Sequence, residues 1–169
     1  MASLSVPTCG FSAAGTYTST GTNSVLTHDF SLATSTPFTD GGGANQANKY
    51  YRTTVSLAGS ATSDLDLAGV LTDVTGATIT FATIKFFAVV ASSSNNASNS
   101  MQVTRPAAAG ALWLMAAGDG IALPPGAWFA TGNPNAAGYT VTATTADLIT
   151  FTNSAGTNTI TAEVLIIGD

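Results

Sequence analysis

From Lys49 onward the chain is a succession of short apolar runs, each closed by Gly, Asn, Asp or Pro. Punctuation this frequent leaves little room for long helices. It is the pattern of an all-β sandwich or barrel. Residues 50–57 alternate, so Tyr51, Thr53, Val55 and Leu57 fall on one face. In residues 63–67 the same period turns Leu65 and Leu67 inward and Asp64 and Asp66 outward. Residues 78–90 open with Ile79 and Phe81 between threonines. They then become apolar on both faces at Phe86, Phe87, Val89 and Val90, as a central strand buried on both sides would.

Further strands are expected at residues 100–104, 120–123, 127–130, 139–143, 148–152 and 159–167. Turn chemistry joins many of them: Gly118-Asp119-Gly120, Pro124-Pro125-Gly126 and Asn153-Ser154-Ala155-Gly156. Pro125-Gly126 is the pair a type II turn takes at its centre. Residues 106–118 are ambiguous. Pro at the start, an Ala-rich body and a closing Gly are helix signals, whereas Leu112 and Leu114 flanking Trp113 suit a strand.

Residues 1–46 read differently. They are rich in Ser, Thr, Gly and Asn, include the flexible triplet Gly41-Gly42-Gly43, and offer one candidate edge strand at 24–30. This zone is expected to be an N-terminal arm or extension, with the folded domain at 47–169. The first residues carry neither a basic segment nor a continuous apolar one, so no secretory signal is expected there. Cys9 is the sole cysteine, expected as a free thiol in a mobile segment, and stability has to come from packing and pairing rather than disulfides.

Only 8% of the residues are charged, with four Lys+Arg against nine Asp+Glu, where an average soluble domain has about 25%. Four scattered cations neutralise few phosphates, and a net charge of −5 is repelled by anionic lipid, so neither nucleic acid nor membrane is an expected partner. Threonine takes the place of charge. It is stiff, strand-favouring and uncharged, and it tiles the solvent face of a sheet.

Catalytic residues are correspondingly scarce. There is one His, and its neighbour Asp29 would point to the opposite strand face, so His28 and Asp29 form no relay. Asp64 and Asp66, with Asp73, have the spacing for a calcium site or a carboxylate pair, but D-L-D-L is also plain polar-out patterning. Asp119 and Asp147 sit at turns, where Asp caps its own backbone. Zinc ligand clusters and phosphate loops are missing from the sequence. Tyr50, Tyr51, Trp113, Trp128 and Tyr139 are the aromatics for a sugar-stacking patch, or for core and interface. The expectation is a structural or binding module without cofactor or metal, not an enzyme.

One set of motifs has a parallel. Gly43-Ala44-Asn45-Gln46-Ala47-Asn48-Lys49 is followed by Asp64-Leu65-Asp66-Leu67-Ala68-Gly69 and Leu71-Thr72-Asp73. Gly76, Ile79, Phe81, Ala82 and Ile84-Lys85 come next, then Gly118-Asp119, Pro125-Gly126, Gly138-Tyr139 and the closing Leu165-Ile166-Ile167-Gly168. Over residues 40–169 this series resembles small virion proteins of tailed bacteriophages. The resemblance implies a capsid decoration (cement) protein of jelly-roll type, a homotrimer on the capsid surface that clamps neighbouring major capsid proteins. The architecture expected is an all-β, jelly-roll-like antiparallel β-sandwich with an extended N-terminal arm. The arm is the expected intersubunit or capsid-reaching element. Tyr50, Tyr51, Trp113 and Trp128 are candidate interface residues, and Lys49, Arg52, Lys85 and Arg105 are cations expected on the surface, where they could also pair with acidic capsid patches. The alternative within the same class is a head-fibre or tail-fibre domain, and the alternative from another class is a carbohydrate-binding β-sandwich.

Overall fold

The strands read at residues 50–57, 148–152 and 159–167 fall into two antiparallel sheets. The computed structural model describes residues 7–20, 25–69, 71–73 and 76–169. Among them are thirteen strands and no helix: β1 (Thr8–Thr20), β2 (Val25–Pro37), β3 (Lys49–Leu57), β4 (Thr62–Asp66), β5 (Leu71–Thr72), β6 (Thr78–Ile79), β7 (Thr83–Ala91), β8 (Met101–Thr104), β9 (Gly120–Leu123), β10 (Trp128–Gly132), β11 (Tyr139–Thr140), β12 (Leu148–Asn153) and β13 (Ile160–Gly168). One sheet runs β10-β7-β13-β3, with β11 also on β7. The other runs β4-β12-β8-β9. Consecutive strands of the two sheets alternate between them, except for the β8–β9 and β10–β11 pairs.

Period-2 side chains explain why the sheets stack. Phe87 and Val89 of β7 and Val164 and Ile166 of β13 face Met101 and Val103 of β8 and Ile149 and Phe151 of β12. All eight are fully buried in a single core. Burying each such side chain is worth about 1.5–3 kcal/mol, which is what holds the two layers together without a disulfide.

The expected faces of β3 and β4 are present: Leu57, Leu65 and Leu67 are buried while Asp64 is exposed. The turn at Pro125-Gly126 is also as expected, with Gly126 at φ 77° and Ala127 N–H donating to the Pro124 carbonyl at 2.9 Å. Several expectations are corrected. Residues 78–90 are two strands, because Phe81 N–H donates to Leu67 O and Ala82 N–H to Asp169 O, leaving the ladder between them. The second face of β7 is not buried throughout: Val90 is 48% exposed. Residues 106–118 are neither helix nor strand but successive turns. Ala111 N–H donates across to Leu148 O, and Arg105 Nη1 binds the Met115 carbonyl, so tertiary partners take the groups a helix needs.

A buried polar staple closes one end of the sandwich. Asn153 Nδ2 donates to the carbonyls of Leu57, Ala58 and Asn158, and Asn153 Oδ1 accepts from Asn99 Nδ2. At another point Lys85 is fully buried. Its ammonium donates to Asn135 O at 2.8 Å and Ala136 O at 2.7 Å, and lies 3.8 Å from Asp169 Oδ2.

β1 and β2 form a hairpin and, among the described residues, pair only with each other. At about 3.4 Å per residue the ribbon is roughly 44 Å long. The edge strand expected at 24–30 is the first part of β2, though Ser24 lies outside the described residues. Cys9 sits in β1, half-buried against the small cluster of Phe38, Ala47 and Ile167, rather than in a loose segment.

Candidate functional site

Cross-strand partners share a face, and the register of the hairpin separates its two faces by polarity. One carries Ser12, Ala14 and Thr16 opposite Ala33, Ser31 and Asp29, with Thr16 Oγ1 donating to Asp29 Oδ1. The other carries Cys9, Phe11, Ala13 and Gly15 opposite Thr36, Thr34, Leu32 and Phe30. Phe30 lies over Gly15, where a Cβ would come within 2.9 Å of the ring; the missing side chain lets the aromatic cross the ribbon. Phe11 is 43%, Phe30 50% and Leu32 64% exposed. The apolar face therefore meets solvent.

The outer face of the β10-β7-β13-β3 sheet is the second part of the site. Its rows follow from the register: Trp128, Val90, Glu163 and Thr54, then Ala130, Ala88, Leu165 and Arg52. The third row, Gly132, Phe86, Ile167 and Tyr50, is overlaid by Phe38 and Ala47. Trp128 is 61% exposed. Where the hairpin leaves the sandwich, the two apolar faces meet at an open cavity of about 420 Å³ lined by Cys9, Phe11, Phe38, Phe86, Trp128 and Pro134.

Charge is nearly missing from this surface. Arg52 and Glu163 are ion-paired to each other on the outer face, and that pair holds the guanidinium pKa above its ordinary value. Burial pushes the Cys9 thiol up to about 11, so it stays protonated and unreactive at neutral pH.

The residues expected to act together are divided by the structure. Tyr50, Arg52 and Trp128 lie on the outer face, and Lys49 pairs with Gly168 at the end of β3. Tyr51 points inward against the core. Trp113 packs inside, stacked on Tyr139 at 4.8 Å and edge-on to Phe87 at 5.6 Å. Lys85 and Arg105 are held by backbone carbonyls of their own chain. Full burial leaves Lys85 no face to offer an acidic partner, and that expectation is corrected.

The carboxylates read as a possible cation site have ordinary partners. Asp64 accepts from Thr150 Oγ1, Asp66 from Ala68 N–H and Asp73 from Ala77 N–H. Among the described residues no three His, Cys, Asp or Glu side chains gather in a metal-binding group. Asp147 caps Thr144 N–H, as its turn position implied. His28 is exposed on β2.

The sequence reading missed Phe11, Phe30, Leu32 and Val90. The signal was available in Phe30-Ser31-Leu32-Ala33, an apolar/polar alternation inside a polar segment. No protein-family model matches the chain, and no curated protein or solved structure is found to be similar to it.

Proposed function

We propose that the chain is a virion structural protein of a tailed bacteriophage: a capsid decoration protein that sits on the capsid exterior as a homotrimer and stabilises contacts between major capsid subunits. The observation that carries this reading is the order of eight strands, β10-β7-β13-β3 opposite β4-β12-β8-β9. Among these eight, all successive strands but β8 and β9 lie in opposite sheets, which supports a jelly roll of two Greek keys, an architecture of viral capsid domains. The hairpin supports it further, as the arm by which such a module reaches a neighbour.

The mechanism is mechanical. A symmetric oligomer multiplies weak contacts, because each arm engages at the effective concentration set by the others. Few long charged side chains means little rotamer entropy is lost when the surface docks. No reaction is involved in this reading. A second reading, a carbohydrate-binding sandwich, draws on the exposed Trp128 ring beside the cavity.

An electron-microscopy map of the intact particle tests the proposal. Density for this fold at three-fold or quasi-three-fold positions on the capsid exterior is expected. Density on the tail alone, or a monomer with no particle association, overturns it. Binding of the purified chain on a glycan array, without particle binding, would replace it by the carbohydrate reading.

A further inference from the structure

We infer that the apolar face of the hairpin is an interface between copies of this chain, each hairpin lying across the outer face of the neighbour's β10-β7-β13-β3 sheet beside Trp128 and Val90. The inference deepens the oligomer proposed above and rests on that reading.

The hairpin needs a cover. A two-stranded ribbon is marginal in water, and this one pairs with no other strand among the described residues. Its two faces are not equivalent. Ser12, Ser31, Thr16 and Asp29, with Ala14 and Ala33, occupy one, and Phe11, Phe30 and Leu32, with Thr34 and Thr36, the other. A ribbon meant to stand in solvent has no use for that segregation, whereas a half-buried sheet requires it.

The occupant is argued from charge and area. Between Cys9 and Gly15, and between Phe30 and Thr36, the apolar face bears no Asp, Glu, Lys or Arg, and Asp29 is on the other side. On the outer sheet face Arg52 and Glu163 already neutralise each other. Neither surface offers a charge to attract an acidic or basic partner, and neither leaves one unpaired when dried against the other. The two are therefore matched in character and sit on the same chain.

One hairpin face, about 44 Å by about 10 Å, covers roughly 400 Å². When each chain gives its hairpin and receives another, roughly 800 Å² is buried per chain, about half a standard interface at each of its two contacts, so closure of the ring supplies the rest of the hold. The cavity at the elbow joins the donating and receiving faces, so both are continuous in one chain. Closed rotational symmetry uses both faces of every copy and leaves none open.

The test is light scattering on the full chain at micromolar concentration. A multiple of 16.8 kDa is expected for the natural sequence. Leu32→Asp with Phe30→Asp, and separately Trp128→Asp, are each expected to return the mass to one chain. Far-UV circular dichroism should stay native, because all three side chains are at least half exposed. As a second measurement, mix two single-cysteine variants, Phe30→Cys and Trp128→Cys, each with Cys9→Ser. A disulfide between chains, mapped by mass spectrometry to positions 30 and 128, supports the interface. A multimer unaffected by either set of substitutions overturns the inference.

Particle binding separates the two proposals. A monomeric natural chain that binds capsids, and loses binding with Leu32→Asp, makes the hairpin face a capsid contact; the inference falls and the decoration reading stands. A multimer broken by the substitutions, with no capsid binding in either form, leaves the inference and removes the decoration reading.

Discussion

The sandwich and the hairpin obey the same two-residue period and reach opposite ends. In β12 and β13 the apolar members, Ile149, Phe151, Val164 and Ile166, are covered completely. In β1 and β2 the apolar members Phe11, Phe30 and Leu32 are left to solvent. Alternation specifies which side of a strand is apolar. It does not specify whether the same chain supplies the cover. In the sandwich a second sheet lies about 10 Å away. Among its described residues the hairpin is packed at its root, through Cys9 against the Phe38 cluster.

This contrast can be broken most strongly in the core. Phe151→Ala should lower stability by about 3–5 kcal/mol, through lost burial and the cavity left behind, read as a shifted midpoint in urea unfolding. A loss below about 1 kcal/mol would mean that the two sheets are not packed as described. Asn153→Ala should follow, at about 2–3 kcal/mol, because the carbonyls of Leu57, Ala58 and Asn158 lose their shared donor inside the protein. Calorimetry on that variant distinguishes a structural staple from a replaceable turn residue.

Cys9 reports on the boundary between the two regions. With its pKa near 11 in the fold, against 9.0 for a free thiol, the folded protein at pH 8 holds about a hundredfold less thiolate than the unfolded chain. Its reaction with an aromatic disulfide reagent should be slowed to that degree and should speed up on unfolding. The linkage has a sign. Between pH 9 and about 11 the unfolded chain gives up a proton that the folded one keeps, so stability falls as pH rises through that window. Rapid reaction of native protein at pH 8 would show the hairpin root to be open.

The smallest effect is expected on the hairpin itself. Leu32→Ser should change the unfolding free energy by less than about 0.5 kcal/mol at dilutions where the chain is a monomer. The same substitution should matter at higher concentration, where the interface forms. A large loss in dilute solution would mean that Leu32 is packed within its own chain.

Much of the sandwich was legible. Strands near 50–57, 100–104, 120–123, 148–152 and 159–167 were marked by short apolar runs between turn residues, because a strand is recognised from its immediate neighbours. Residues 106–118 were not, since what rules out a helix there is the distant Leu148 carbonyl. Trp113 and Trp128 were indistinguishable as sequence. One is stacked on Tyr139 inside, and the other stands on an edge strand in solvent.

The sequence by itself determined the all-β class, the polar and apolar faces of most strands, and a surface tiled with Thr and Ser in place of charge. Those follow from local geometry and composition. Only the tertiary structure decided that Lys85 is buried, that Asn153 ties one end of the sandwich, and that the hairpin's apolar face meets the outer sheet at one cavity. Each of these depends on groups far apart in the chain, and the free energy that fixes them comes from burial and hydrogen-bond partners that exist only once the sheets have assembled.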